Sequence, residues 1–201
     1  MIRNKKIVFF SSKKKLFENL FHFLKRNNAR RLILAGGSSI QNFYYYLKFI
    51  NCEIILSDER LIEPKTSESN YFNLLKITND KNKIKWPNED FFKKKKLHSK
   101  INNFNKCINY KNFDLSILTI GEDGHIASIF KENYLKSFLT NKNALFVKKK
   151  KFNRLSISLN KINKVKKNII IVIGRKKAKL LGRGDKYPFN KVKNSIILYC
   201  N

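Results

Sequence analysis

One stretch constrains this chain most: Ile117-Leu118-Thr119-Ile120-Gly121-Glu122-Asp123-Gly124-His125-Ile126-Ala127-Ser128, an apolar run that stops at two glycines with acids between them and a histidine after them. With Phe113 and Leu115, the residues Ile117, Leu118 and Ile120 have the β-branched and aromatic character of a buried strand, and Gly121 and Gly124 let the backbone turn sharply at its carboxyl end. In open α/β sheets the ligand crevice lies outside the carboxyl ends of the strands. Asp123 and His125 are therefore expected together in a crevice, although so short a triplet also suits an ordinary surface loop.

Similar short apolar runs recur along the chain, with helical patterns between them. Ile7–Phe10 reads as a first strand, followed by Ser11 and Ser12 as N-cap candidates and a helix with Leu16, Leu20, Phe23 and Leu24 near one face, widened by Phe17 and Phe21. Arg31–Ala35 is a second strand, with the turn Gly36-Gly37-Ser38-Ser39 and a helix over Ile40–Phe49 behind it. Cys52–Ser57 is a third, ending at Asp58-Glu59-Arg60. Asn70–Ile77 is helical, Thr78–Lys85 polar, Trp86-Pro87 a turn or short edge segment, and Phe91 through Ile108 one or two helices. Beyond His125 the pattern is helical again, and Ala144–Val147 is a short strand. Arg154–Leu159 alternates as a half-buried strand, with Ser156 and Ser158 on the outer face. Asn168–Ile173 ends at Gly174, with a helix from Arg175 through Leu181, and Ser195–Tyr199 can close the sheet. Strands alternating with helices predict an α/β, doubly wound, mostly parallel sheet with helices on both faces, Rossmann-like, as one domain over residues 1–201.

In such a sheet the strand ends share one edge, so separate loops converge. The Gly36-Gly37-Ser38-Ser39 turn suits a phosphate, because glycine permits close approach, the N–H groups at a helix start bind anions, and serine adds hydroxyl donors. It equally suits a serine-capped turn. Asp58-Glu59-Arg60 is expected as a third loop on the same edge, and alone would be a solvated charge cluster. Lys177 either projects into the crevice or is solvated.

Composition sets the outer bounds. The 201 residues are enough for a sizeable core, and no apolar run approaches the roughly 18 residues of a membrane span. The N-terminal Met1–Lys6 stretch shows no cleavable signal pattern, which predicts a soluble, cytoplasmic protein without membrane partners. Cys52, Cys107 and Cys200 have neither metal-ligand spacing nor an even disulfide framework and are expected as free thiols, mostly buried. The 44 Lys and Arg against 14 Asp and Glu give a net charge of +30. A polyanion would be attracted to such a chain. The lysines, however, are spread in short runs, with no helix-turn-helix, zinc-finger, RRM or KH pattern around them, so no specific nucleic-acid partner is expected and a basic nucleic-acid-binding protein is retained only as a rival reading.

On these residues the chain resembles the 6-phosphogluconolactonase family, which is related to glucosamine-6-phosphate deaminases. Leu34-Ala35-Gly36-Gly37-Ser38-Ser39 resembles the family's phosphate loop L-S-G-G-S-T. Asp58-Glu59-Arg60 and Ser69-Asn70-Tyr71 resemble its D-E-R and S-N-Y, and Phe113-Asp114-Leu115 through Gly121–Phe130 its F-D-L and G-x-D-G-H-T-A-S-L-F. Arg154–Leu159 is similar to R-I-T-L-T-L, and Gly174 with Lys177-Ala178 to G-x-x-K-A. Ile40 and Lys131 stand where prolines are usual, Thr119 where a glycine is, and the chain is shorter than most relatives. Related deaminases carry a ring-opening glutamate where this chain has Phe130.

The resemblance implies hydrolysis of 6-phospho-D-glucono-1,5-lactone to 6-phosphogluconate, in the oxidative pentose phosphate pathway, with neither metal nor cofactor. It implies His125 as general base on water, with Asp123 orienting the imidazole or contacting the sugar. Gly36, Gly37, Ser38, Ser39, Asp58, Arg60, Arg154 and Lys177 would hold the phosphosugar. A monomer or dimer is expected. A glucosamine-6-phosphate deaminase or isomerase is the other enzymatic reading.

Overall fold

The computed structural model describes residues 5–78, 80, 83–108, 112–183 and 186–201. Residues 1–4 of the N-terminal stretch, and 79, 81 and 82 of the polar connection, lie outside them. In order, the elements are β1 (Lys6–Phe10), α1 (Lys13–Arg26), β2 (Arg31–Leu34), α2 (Gln41–Tyr44), β3 (Glu53–Leu56), β4 (Asp58–Arg60), α3 (Asn70–Thr78), β5 (Ile84–Trp86), α4 (Glu89–Lys93) and α5 (Leu97–Ile108). They continue with β6 (Leu115–Thr119), α6 (Tyr134–Leu139), β7 (Ala144–Val147), β8 (Arg154–Ile157), α7 (Leu159–Ile162), β9 (Lys167–Ile173), α8 (Arg175–Ala178) and β10 (Ser195–Cys200).

Seven strands form a parallel sheet flanked by helices, in the order β1-β10-β9-β6-β2-β3-β5. β6 and β9 are nearly continuous apolar runs, as strands covered on both faces must be. α1 shows why its sequence is helical: Leu16, Phe17, Leu20 and Leu24 recur on one buried face, and the Lys15 N–H donates to the Ser12 hydroxyl at 3.2 Å, capping the start. Phe23, expected on that face, is only half-buried. Trp86 is fully buried in the edge strand β5, its ring 4.2 Å from that of Phe104 and 5.2 Å from that of Phe91. Cys52 and Cys200 are buried, Cys107 half-buried, and none is in a disulfide. No helix among the described residues is long and apolar enough to cross a membrane.

Several expectations are corrected. Asp58-Glu59-Arg60 is not a loop on the main sheet edge but strand β4 of a second, three-stranded antiparallel sheet, β4-β8-β7. The chain passes into it directly from β3, and the Ile157 N–H donates to the Ser57 carbonyl at 2.8 Å across the junction. Arg154–Leu159 is not half-buried: Leu155 through Leu159 are all buried, because β8 is the middle strand of the small sheet, and Ser158 instead caps α7, which starts at Leu159. The segment after His125 is not helical until Tyr134; Ile120 and Ile129 each form an isolated bridge to Ile126, which holds it as a compact loop. Ile40–Phe49 is helical in two geometries, α2 and then a 3-10 helix over Tyr45–Phe49, and α8 stops at Ala178 rather than Leu181.

Candidate active site

The strand order reverses between β2 and β6: β3 and β5 lie on one side, β9, β10 and β1 on the other. Such a switch point opens a crevice at the carboxyl ends of the strands, because the two connections leave in opposite directions. A cleft of about 150 Å³ lies there, and Gly36, Gly37, Ser38, Ser39, Asp58, Arg60, His125, Arg154 and Lys177 all line it. Asp123 is the one expected site residue outside this lining. Its side chain is 61% exposed, against 27% for His125, and it braces the imidazole from the solvent side.

The loop after β6 builds the histidine wall. The Gly121 N–H donates to the His125 carbonyl at 2.8 Å and the Gly124 N–H to the Gly121 carbonyl at 3.0 Å, folding the loop on itself. His125 Nδ1 lies 2.5 Å from Asp123 Oδ1, which also accepts from the His125 backbone N–H at 3.2 Å. The hydrogen bond to His125 pulls the Asp123 carboxyl down to about 2, so it stays ionised at neutral pH. The ring lies back over the loop, within 2.2 Å of where a Cβ on Gly121 would be, so any side chain there would displace it. Phe130 stands 4.6 Å from the imidazole, centroid to centroid, with the Lys149 ammonium 3.6 Å from the Phe130 ring centre.

Three cations also line the cleft. Lys177 Nζ donates to Ser39 Oγ at 2.8 Å, joining α8 to the glycine-serine turn, and burial lowers its pKa. Arg60 Nη1 donates to the Asn70 side-chain oxygen at 3.3 Å and to the Glu68 carbonyl. Arg154 Nε is buried without a hydrogen-bond partner among the described residues, a donor in need of an acceptor. Asp58 is a buried acid among these cations, its carboxylate accepting from Ser57 Oγ at 3.0 Å and Ser128 Oγ at 2.6 Å. Among the described residues no group of three His, Cys, Asp or Glu side chains is arranged to hold a metal ion.

Three residues at the cleft escaped the sequence reading as site components. Asn70 lines it, Ser128 holds the Asp58 carboxylate, and Glu59 is buried behind both Asp58 and Arg60. Asn70 and Glu59 carried a signal, since they sit inside the S-N-Y and D-E-R motifs. Ser128 carried one too, as the serine of the G-x-D-G-H-T-A-S-L-F run.

The family model for glucosamine-6-phosphate isomerases and 6-phosphogluconolactonase matches residues 5–195, nearly the whole chain. The chain belongs to this family. A 6-phosphogluconolactonase from Shewanella baltica has a crystal structure similar to this chain at TM-score 0.83 and 17% identity, with 100% of each chain covered. One from Thermotoga maritima is similar at TM-score 0.83 and 18% identity, covering 98% of this chain and 99% of its own. One from Plasmodium vivax is similar at TM-score 0.79 and 17% identity, covering 98% and 90%. No curated protein sequence matches the chain. At these identities the solved members show the fold they share with it, and among the described residues the family's G-x-D-G-H run and glycine-serine loop face one cleft.

Proposed function

We propose that the chain hydrolyses 6-phospho-D-glucono-1,5-lactone to 6-phosphogluconate, in the cytoplasm and without a metal. What carries this reading is the imidazole of His125, braced by Asp123, on one wall of a cleft whose other walls hold a glycine-serine turn and three cations. Family membership and the lactonase names of the similar structures support it.

With Nδ1 engaged by Asp123, Nε2 of His125 is the nitrogen that takes a proton from water as the oxygen attacks the lactone carbonyl. The tetrahedral intermediate then collapses. The bond from the carbonyl carbon to the ring oxygen breaks, the imidazolium returns the proton to that oxygen, and the ionised Asp123 stabilises the imidazolium meanwhile. His125 thereby activates the water that a metal ion activates elsewhere. Ser38, Ser39, Arg60, Arg154 and Lys177 hold the phosphate, the two guanidinium groups being able to pair with its oxygens two at a time. Asp58, an acid, takes a sugar hydroxyl rather than the phosphate.

The test is hydrolysis of freshly generated 6-phosphogluconolactone, corrected for its spontaneous rate, with and without a chelator. Turnover that survives chelation is expected; a rate equal to the spontaneous one sinks the reading. Phe130, where the deaminases carry their ring-opening glutamate, argues for no ammonia release from glucosamine 6-phosphate, and such release would favour the deaminase instead.

A further inference from the structure

Glu59 is fully buried and does not line the cleft, although its neighbours Asp58 and Arg60 both do. Its carboxylate accepts four hydrogen bonds. Oε1 takes those of the Arg60 N–H at 2.7 Å and the Asn70 N–H at 3.0 Å; Oε2 takes those of the Tyr71 N–H at 2.6 Å and the Ser69 hydroxyl at 3.2 Å. Two of these donors are N–H groups in the first turn of α3, where no helical partner exists. The helix already has a local cap, because Ser69 Oγ accepts from the Phe72 N–H at 3.2 Å. A second, buried and charged acceptor is more than the start of a short helix requires, and burial makes it costly: it pushes the Glu59 carboxyl up to about 7 against the pull of the Tyr71, Asn70 and Arg60 N–H groups.

Three of the four donors are consecutive, Ser69, Asn70 and Tyr71, and Asn70 is the one of them that lines the cleft. Its side-chain amide donates to the Asp58 carbonyl at 2.9 Å, its oxygen accepts from Arg60 Nη1 at 3.3 Å, and its side-chain atoms lie within 2.1 Å of where a Cβ on Gly36 would be. Asn70 thus touches the glycine-serine turn on one side and the Arg60 guanidinium on the other. Glu59 holds the backbone of both residues from behind.

We propose that Glu59 is a positioning residue for the phosphate end of the cleft, its carboxylate locking Asn70 and Arg60 against the Gly36 turn and so setting affinity for the phosphosugar without touching it. The inference rests on the lactonase reading. Glu59→Gln keeps the shape but replaces one acceptor oxygen by an NH₂ group that faces donors.

The full-length wild type, Glu59→Gln, Asn70→Ala and the double variant are compared at pH 8 for KM and kcat of lactone hydrolysis, for the Kd of 6-phosphogluconate by calorimetry, and for the thermal unfolding midpoint. Glu59→Gln is expected to raise KM and Kd roughly tenfold, the size of a lost bond to a charged group, with kcat within about twofold. The double variant is expected to bind no more weakly than the weaker single one, because both act through one contact. An unchanged KM and Kd, a fall confined to kcat, or additive effects in the double variant would overturn the proposal. If Glu59→Gln does not fold, Ser69→Ala removes one donor to Glu59, together with the cap on Phe72, and leaves the charge; it is expected to raise KM roughly threefold with kcat kept, and an unchanged KM or a fall confined to kcat is again fatal. A wild type that binds 6-phosphogluconate without turning over the lactone overturns the function alone, since the Kd ratios still test Glu59. A wild type that does neither overturns both.

Discussion

The loop after β2 and the loop after β6 leave adjacent strands of the same sheet, and each begins at a glycine whose missing Cβ leaves room for a side chain. At Gly121 that side chain is the His125 ring, a few residues on in the same loop, and the loop's own hydrogen bonds hold it there. At Gly36 it is Asn70, delivered from another helix and anchored through Glu59 on a strand of the other sheet. One loop carries its geometry within itself and the other borrows it. The first can therefore be read from a handful of residues and the second cannot. The difference also divides the labour proposed here: the self-contained loop presents the proposed base, and the borrowed one forms part of the wall proposed to hold the phosphate.

Substitutions can break this division, and the largest effect is expected at the base. His125→Ala should cost about 10²- to 10⁴-fold in kcat while leaving circular dichroism and 6-phosphogluconate binding unchanged. Wild-type turnover in that variant would remove the histidine from the mechanism. Gly121→Ala should come next, because a Cβ there collides with the imidazole and displaces it; a displacement of about 1 Å costs roughly 10²-fold, seen in kcat rather than KM. Gly36→Ala makes the matching collision with Asn70 and should raise KM about tenfold with kcat nearly kept. If steady-state kinetics show the two alanines exchanging their signatures, the division of labour is the reverse of that argued here.

The smallest effect is expected from Asp123→Asn, read as stability. The folded-state pKa of Asp123, about 2, lies below its ordinary value of 3.8, so its contribution is present above the ordinary value and is lost as pH falls toward 2. Urea unfolding should find the variant less stable than wild type at pH 5 and level with it near pH 2, the gap staying below about 1 kcal/mol because the side chain is mostly exposed. An equal gap at both pH values would show that the carboxylate's charge contributes nothing to the pair.

Much of the molecule was legible before its coordinates. β6 and β9 announced themselves as buried apolar runs, α1 by its apolar face and Ser12 cap, and Gly36–Ser39 by its place between a strand and a helix. These are local patterns, set by neighbours within a few residues. The misreadings share another cause. Asp58-Glu59-Arg60 and Arg154–Ile157 look like a charge cluster and a half-buried strand until they pair with each other, and Ser156 is buried only because β7 and the loop carrying Ser128 come against it. The segment after His125 has a helical pattern that two bridges to Ile126 override.

The sequence by itself determined the alternation of strands and helices, the parallel sheet and the glycine-acid-histidine turn, because each follows from periodicity or from a turn only a few residues long. Only the tertiary structure decided that Arg154 lines the cleft while its Nε is buried without a partner among the described residues, that Asp123 braces His125 from outside it, and that Glu59 is a buried anchor rather than a surface charge. Burial and hydrogen-bond partners come from segments distant in the chain, and a carboxylate's role depends on which donors the fold brings to it, four in the case of Glu59.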